Sequence, residues 1–409
     1  MEAQELANRE RLIHLKTTIK EWLHIEDESM LDCVASVKAS HRMGGDPIWI
    51  QIIGASSGGK SEVFRAFHQE GEVKVDDLTS NTFVSGYRSS GTNDIPQFAE
   101  TLANRIWYIF DFSILMSKCA EERSEILSDM RMVYDGEVTK VYGNKYRATA
   151  LCPNNTLLCG STPAIDNTIL EDQQLGTRFI VYRLKPNNRE AMMDMIDRNA
   201  DRMPIMREAL NMAVREFEQS IDVSQPYKLT LVDNQNLQLM SNMTTLLRTS
   251  VAMDRAGEPS NMSYPEEPGR LYKQLKKMYT AARTIGMTEE EGLRLIRKIC
   301  QDNVNPIRVR ILRYMKDADV GNNYENREYT TSGIHTATGL GKRAIKGHLH
   351  AMNMIGIVDY NIEEDQYGRV VKEKWRMREA NLSLLFGDHL RPRFGKSLIG
   401  LALFLARKA

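Results

Sequence analysis

The residues best suited to chemistry lie in one short stretch. An apolar run, Trp49–Ile53, leads into Gly54-Ala55-Ser56-Ser57-Gly58-Gly59-Lys60-Ser61. Gly-x-x-x-x-Gly-Lys-Ser is the spacing of a phosphate-binding loop. Gly54, Gly58 and Gly59 let the backbone turn its N–H groups toward an anion. Lys60 suits the β- and γ-phosphates of ATP, and the Ser61 hydroxyl suits Mg²⁺. The residues after it, 61–69, read as a helix whose N-terminal end favours the same phosphates.

A second chemical position follows. Ile106-Trp107-Tyr108-Ile109-Phe110-Asp111 reads as a buried strand ending in a carboxylate. An aspartate there is suited to Mg²⁺ beside a phosphate loop, so Asp111 is the expected metal-side carboxylate. Thr156–Cys159 reads as another short strand, running into Gly160-Ser161-Thr162-Pro163, and residues 179–184 as a further one.

These positions need a scaffold. Strands at 48–53, 73–78, 106–111, 156–159 and 179–184 alternate with helices or loops, which predicts an α/β core with a mostly parallel sheet. Residues 1–46 read as helical, as do 95–103 and 121–134. A β-hairpin is expected over 138–150 around Gly143-Asn144. From 188 to 300 the pattern is almost wholly helical, with helices at 189–196, 207–217, 234–256 and 269–285 and a loop at 261–268. Beyond a hinge at 303–306 come helices at 307–315, 331–336 and 341–354, then strands at 357–362 and 370–377. That order reads as a winged helix.

Composition bounds the rest. At 409 residues and 42% hydrophobic, the chain has material for roughly two or three domains. Lys+Arg and Asp+Glu are 54 each, so no global positive field points to nucleic acid. Five scattered cysteines without CxxC spacing suit a reducing cytoplasm and no zinc site. No run reaches the roughly 18 apolar residues of a membrane span, and the N-terminus lacks a signal-peptide core. The apolar run 397–405 is too short to cross and is expected to dock as a helix on the body or on a partner subunit, with a membrane-surface anchor as the alternative.

The order of these motifs resembles that of AAA+ ATPases. It is most similar to the clade with a hairpin before the sensor-1 strand, such as minichromosome-maintenance helicases and uncharacterised phage and plasmid ATPases. The resemblance spans roughly residues 20–385. It implies a phosphate-loop AAA+ core at 47–187, after an N-terminal helical segment at 1–46. A helical lid at 188–302, a winged helix at 303–386 and a tail at 387–409 follow. It implies that Thr162 senses the γ-phosphate, with Ser161 as rival. Arg178, in Leu175-Gly176-Thr177-Arg178-Phe179, resembles an arginine that reaches the neighbouring subunit's nucleotide. Arg270 resembles the sensor-2 arginine, with Arg248 and Arg255 as substitutes. Positive charge at such positions meets the charge that builds on the transferred phosphoryl group. A finger in trans implies a homo-oligomer, a hexameric ring or a spiral.

One position departs from the family. The residue after Asp111 is normally a Glu that orients the attacking water; here it is Phe112. Either a carboxylate from elsewhere serves (Glu121, Glu122, Asp135 and Glu137 are candidates), or nucleotide binding acts as a slow switch.

Two nucleic-acid surfaces are expected. In the relatives, the hairpin touches DNA backbone in the ring's pore; here Lys145 would make that contact, supported by Lys140 and Arg147. The second is the expected recognition helix, with Lys342, Arg343 and Lys346, and His350 on the same stretch. Residues 340–378 carry 8 Lys+Arg against 5 Asp+Glu, only +3, and Glu363-Glu364-Asp365 opposes DNA. A winged helix that only packs or binds protein is the alternative. The combined expectation is an ATP-driven DNA motor, a replicative helicase or initiator of a mobile element with replication proteins as partners. A helicase loader or remodelling switch that does not unwind DNA is the other reading.

Overall fold

A computed structural model describes residues 2–85, 97–141, 147–166, 178–254, 259–262, 265–317, 327–367, 370–378 and 385–386. The chain divides into two compact units, one of Met1–Leu229 with Lys273–Ile296, the other of Thr230–Tyr272 with Arg297–Ala409. Of the stretch expected as a lid, 188–229 and 273–296 fall in the first unit and 230–272 and 297–302 in the second.

The first unit opens with helices α1 (Glu2–Trp22) and α2 (Ser29–Arg42). Strand β1 (Trp49–Ile53) and helix α3 (Lys60–Phe67) follow. Next come β2 (Val73–Val75), the single turn α4 (Phe98–Thr101), β3 (Ile106–Ile109), the single turn α5 (Ser113–Met116) and α6 (Ala120–Asp135). The hairpin is β4 (Glu137–Val141) with β5 (Arg147–Leu151). Then β6 (Thr156–Ser161), β7 (Phe179–Arg183), α7 (Arg189–Asn199) and α8 (Met203–Ser220) complete the run.

Five of these strands form one sheet in the order β2-β3-β6-β1-β7, and every pair is parallel. A parallel sheet is covered on both faces, so its strands read as continuous apolar runs. β1, β3 and β6 are buried at every position. Alternate side chains supply the two faces. Trp49, Trp107, Leu157 and Phe179 join one core with α6 and with Val138, Ala148 and Ala150 of the hairpin. Trp49 meets Trp107 and Tyr134 edge-on at 5.4 and 5.3 Å, and its indole N–H donates to the Asn155 carbonyl at 2.9 Å. Tyr108, from the alternate set of β3, packs on Phe64 of α3.

Two first-unit elements are shorter than the sequence pattern suggests. β2 stops at Val75, so Asp76 and Asp77 leave the sheet edge. The described part of the 95–103 helix is one turn.

The second unit begins with α9 (Leu231–Arg248). The helix expected to reach 256 ends at Arg248, and β8 (Val251–Met253) pairs antiparallel with β9 (Pro259–Met262). The physical stop is a buried guanidinium: Arg308 donates to the Leu247 and Thr249 carbonyls at 2.6 and 2.9 Å, satisfying the helix end. Helices α10 (Gly269–Thr284) and α11 (Glu289–Asp302) each contribute residues to both units. Then follow α12 (Pro306–Asp317), β10 (Glu328–Tyr329), α13 (Thr331–Thr338), α14 (Lys342–Met354), β11 (Val358–Glu364) and β12 (Val370–Met377). β10, unforeseen in the sequence, pairs with β12 to give a three-stranded sheet, β10-β12-β11. Among the described residues, no helix is long and apolar enough to cross a membrane. The apolar run 397–405 lies outside the described residues.

Candidate functional site

The glycine-rich loop leaves the carboxyl end of β1 in the interior of the sheet. Backbone pairing continues past the strand and anchors the loop's root: Gly54 donates to Ser161 at 3.1 Å, and Leu184 donates to Ile53 at 2.8 Å. The loop then turns tightly, with Gly58 N–H on the Ala55 carbonyl at 3.2 Å. Gly59 has φ +85°, in the left-handed region where glycine carries no steric penalty. Gly59 caps α3, so that helix's free N–H groups open onto the loop. Lys60 folds back, its Nζ donating to the Gly54 and Ala55 carbonyls at 2.7 Å each. Burial lowers the Lys60 pKa from its ordinary value, and the Asp111 carboxylate acts against that shift. Ser61 is exposed at the start of α3.

Asp111 lies just beyond the carboxyl end of β3, exposed. It accepts a hydrogen bond from Ser113 N–H at 3.0 Å. The Ser113 hydroxyl stands 3.4 Å from the Thr162 hydroxyl and accepts from Thr162 N–H at 3.4 Å. Ser113 thus links the aspartate to the polar residue beyond β6, a role the sequence reading did not assign. Ser161 and Thr162 differ in their surroundings. Ser161 is buried and accepts from the Gln51 side-chain amide at 2.9 Å, whereas Thr162 is half-buried beside Ser113. Phe112 is buried, with its ring 5.7 Å from Phe179, so residue 112 contributes to the core and not to the loop.

Several of the arginines and candidate carboxylates have partners. Arg178 pairs with Asp135 at 2.7 Å and lies 5.8 Å from the centre of the Tyr134 ring, so in this chain it holds a surface carboxylate. Glu122 pairs with Lys118 at 3.0 Å, while Glu121 and Glu137 are exposed. Arg270 belongs to the second unit. There Arg248 pairs with Glu266 at 2.7 Å, and burial lowers its pKa. Arg255 and Gly176-Thr177 lie outside the described residues. Asp76 and Asp77 were absorbed into an expected strand. They share a small depression with Asp111. The signal that could have found them is the same one that marked Asp111, a carboxylate just past an apolar strand.

The expected nucleic-acid residues separate. Lys145 lies outside the described residues. Lys140 points inward and forms an ion pair with buried Asp129 while donating to the Ser80 carbonyl at 2.7 Å. That makes it a bracket holding the hairpin to α6, a role different from the supporting phosphate contact expected. Arg147 is exposed. Lys342 and Arg343 are exposed at the start of α14, but Lys346 pairs with Glu373 at 3.0 Å. Half-buried His350 packs on the rings of Tyr360 and Trp375, at 5.0 and 4.8 Å. Ribbon charges balance within a network: Lys374 holds Glu328 and Glu363, and Arg376 and Arg378 hold Asp359.

No protein-family model and no curated protein matches the chain.

Proposed function

We propose that the first unit is a phosphate-loop nucleoside triphosphatase that binds Mg·ATP. The observation that carries this reading is the meeting of three groups at the carboxyl ends of adjacent parallel strands. Lys60 follows β1, Thr162 follows β6 and Asp111 follows β3, with β6 between the other two. Open α/β sheets bind ligands at that edge. Gly54, Gly58 and Gly59 shape the anion-binding turn, Lys60 pairs with the outer phosphates, and Thr162 bonds the terminal one. One exposed hydroxyl, Ser61, and one exposed carboxylate, Asp111, are hard oxygen donors that fit Mg²⁺, which keeps most of its shell as water and phosphate. Bound there, the ion would offset charge on the phosphates.

On the same reading the chain is an AAA+ protein working on DNA as a homo-oligomer, a helicase or initiator with a winged helix over 303–386. Lys342 and Arg343 meet phosphates, and Arg178 serves the neighbouring subunit's nucleotide. The second reading, a loader or switch that does not unwind, is favoured by the Arg178–Asp135 pair and by the cancelled charges of the ribbon.

A titration with a fluorescent ATP analogue tests the first step. Lys60→Ala should weaken Mg-dependent binding at least about tenfold, the equivalent of about 1.4 kcal/mol; equal affinity in both proteins sinks the nucleotide reading. Strand displacement on a forked duplex separates the two jobs. Its absence in a nucleotide-hydrolysing, DNA-bound oligomer leaves the switch.

A further inference from the structure

On the nucleotide reading above, we propose that Asp77 is the carboxylate that orients the attacking water, the task that Phe112 cannot perform. β2 and β3 run parallel with Val75 opposite Ile109. Asp77 therefore leaves β2 at the level where Asp111 leaves β3, two residues past the paired position on each strand. The two aspartates, with Asp76, line one cavity of about 10 Å³ at the sheet's carboxyl edge. That volume is close to what one water molecule needs. Its other walls are apolar, Leu78, Ile109 and Leu115 among them, so a water there finds its polar partners in the carboxylates.

Asp77 is also held as an orienting group must be. It accepts from the Leu78 N–H at 2.8 Å and is paired with Lys118 at 3.3 Å. Lys118 is delivered by the turn after α5 and is itself mostly covered. Asp76 differs: it pairs with exposed Lys74 at 2.7 Å, and its side chain is 76% exposed against 51% for Asp77. The other carboxylates stand elsewhere. Glu122 pairs with Lys118 outside the lining, Asp135 holds Arg178, and neither Glu121 nor Glu137 lines the cavity.

The step balances simply. The water oxygen bonds to the γ-phosphorus as the bond from that phosphorus to the β–γ bridging oxygen breaks. The electron pair leaves on the nucleoside diphosphate, and the water proton passes to Asp77 and on to solvent. Products are the diphosphate and inorganic phosphate.

The test compares Asp77→Asn, Asp77→Glu and Glu121→Gln in the full chain, by analogue titration, steady-state hydrolysis and thermal unfolding. Asp77→Asn should lower kcat at least about 100-fold, the usual worth of a positioned base, and flatten the acidic limb of the pH–rate profile. Its nucleotide affinity should stay within about threefold, roughly 0.6 kcal/mol. Asp77→Glu should restore part of the rate, and Glu121→Gln, outside the cavity, should leave it near wild type. Hydrolysis by Asp77→Asn at the wild-type rate, or a wild-type chain that binds nucleotide without hydrolysing it, overturns the assignment and leaves the nucleotide site standing. Equal analogue binding by wild type and Lys60→Ala overturns both.

Discussion

Asp129 is buried on α6, and its charge is tolerable only because Lys140 reaches it from the hairpin. Burial lifts its pKa above the ordinary value and the lysine opposes that shift. Removing one member of such a pair leaves an uncompensated charge. Lys140→Ala should therefore cost about 2 kcal/mol, a figure reduced because Lys140 keeps some solvent, and urea unfolding reads it directly. A loss of DNA affinity at unchanged stability would return Lys140 to the interface. Arg178 presents the opposite case, since its partner Asp135 is more than half exposed. An ion pair whose carboxylate stands in water contributes little to folding. Arg178→Ala should leave the unfolding midpoint nearly unchanged. Acting as a finger in trans, it should abolish hydrolysis but spare nucleotide binding, and mixing with Lys60→Ala chains should recover activity; no recovery removes the trans role.

At the level of elements, β3 and β6 stay joined past their last paired residues, Ile109 and Cys159. A Cβ added at Gly160 would lie 2.6 Å from the Phe110 carbonyl oxygen, a backbone atom that cannot swing away. The same crossing carries the Phe112 N–H to the Gly160 carbonyl at 2.7 Å and so sets where Asp111 and Thr162 emerge. Gly160→Ala should destabilise by about 2 kcal/mol through forced backbone shift, and should weaken Mg-dependent nucleotide binding as well. A variant with native stability and affinity would show that the strands can part without disturbing the edge. These consequences were only partly legible in advance. Gly160 stood out as one residue of a polar turn, but its closeness to Phe110 depends on which strand lies beside β6. The same holds for Asp77. Val73-Lys74-Val75 is a strand by local pattern, yet nothing local says that β2 pairs with β3 and sets two aspartates at one height.

At the scale of the molecule, the first unit couples α2 to the sheet through His41, whose ring nitrogen lies 3.0 Å from the Thr156 hydroxyl. Burial lowers its pKa to about 4. The unfolded chain titrates near 6.5, so it binds a proton that the folded chain refuses as the pH falls. The stability concerned is full above about pH 6.5 and is lost progressively toward pH 4. Between pH 7 and pH 5 the loss should be about 2 kcal/mol. Urea unfolding at the two values, on wild type and His41→Gln, isolates this group, because the variant should lose less by that amount. Identical losses would place the proton elsewhere.

Sequence alone determined what is local. The glycine-rich turn with Lys60 and Ser61, the buried strands, the long helices and the hairpin follow from spacing and hydrophobic pattern, which act over a few residues. It could not decide the order β2-β3-β6-β1-β7, because parallel strands pair across long crossovers and their neighbours are chosen by packing on both faces. Only that order separates Ser161, turned to Gln51, from Thr162, turned to Ser113. Only it buries Phe112 and brings Asp77 level with Asp111. The end of α9 is another such case, since the guanidinium that stops it comes from Arg308, in a helix later in the chain. The kinds of residues at the site were thus written locally. Which of them meet was decided by contacts between segments far apart in the chain.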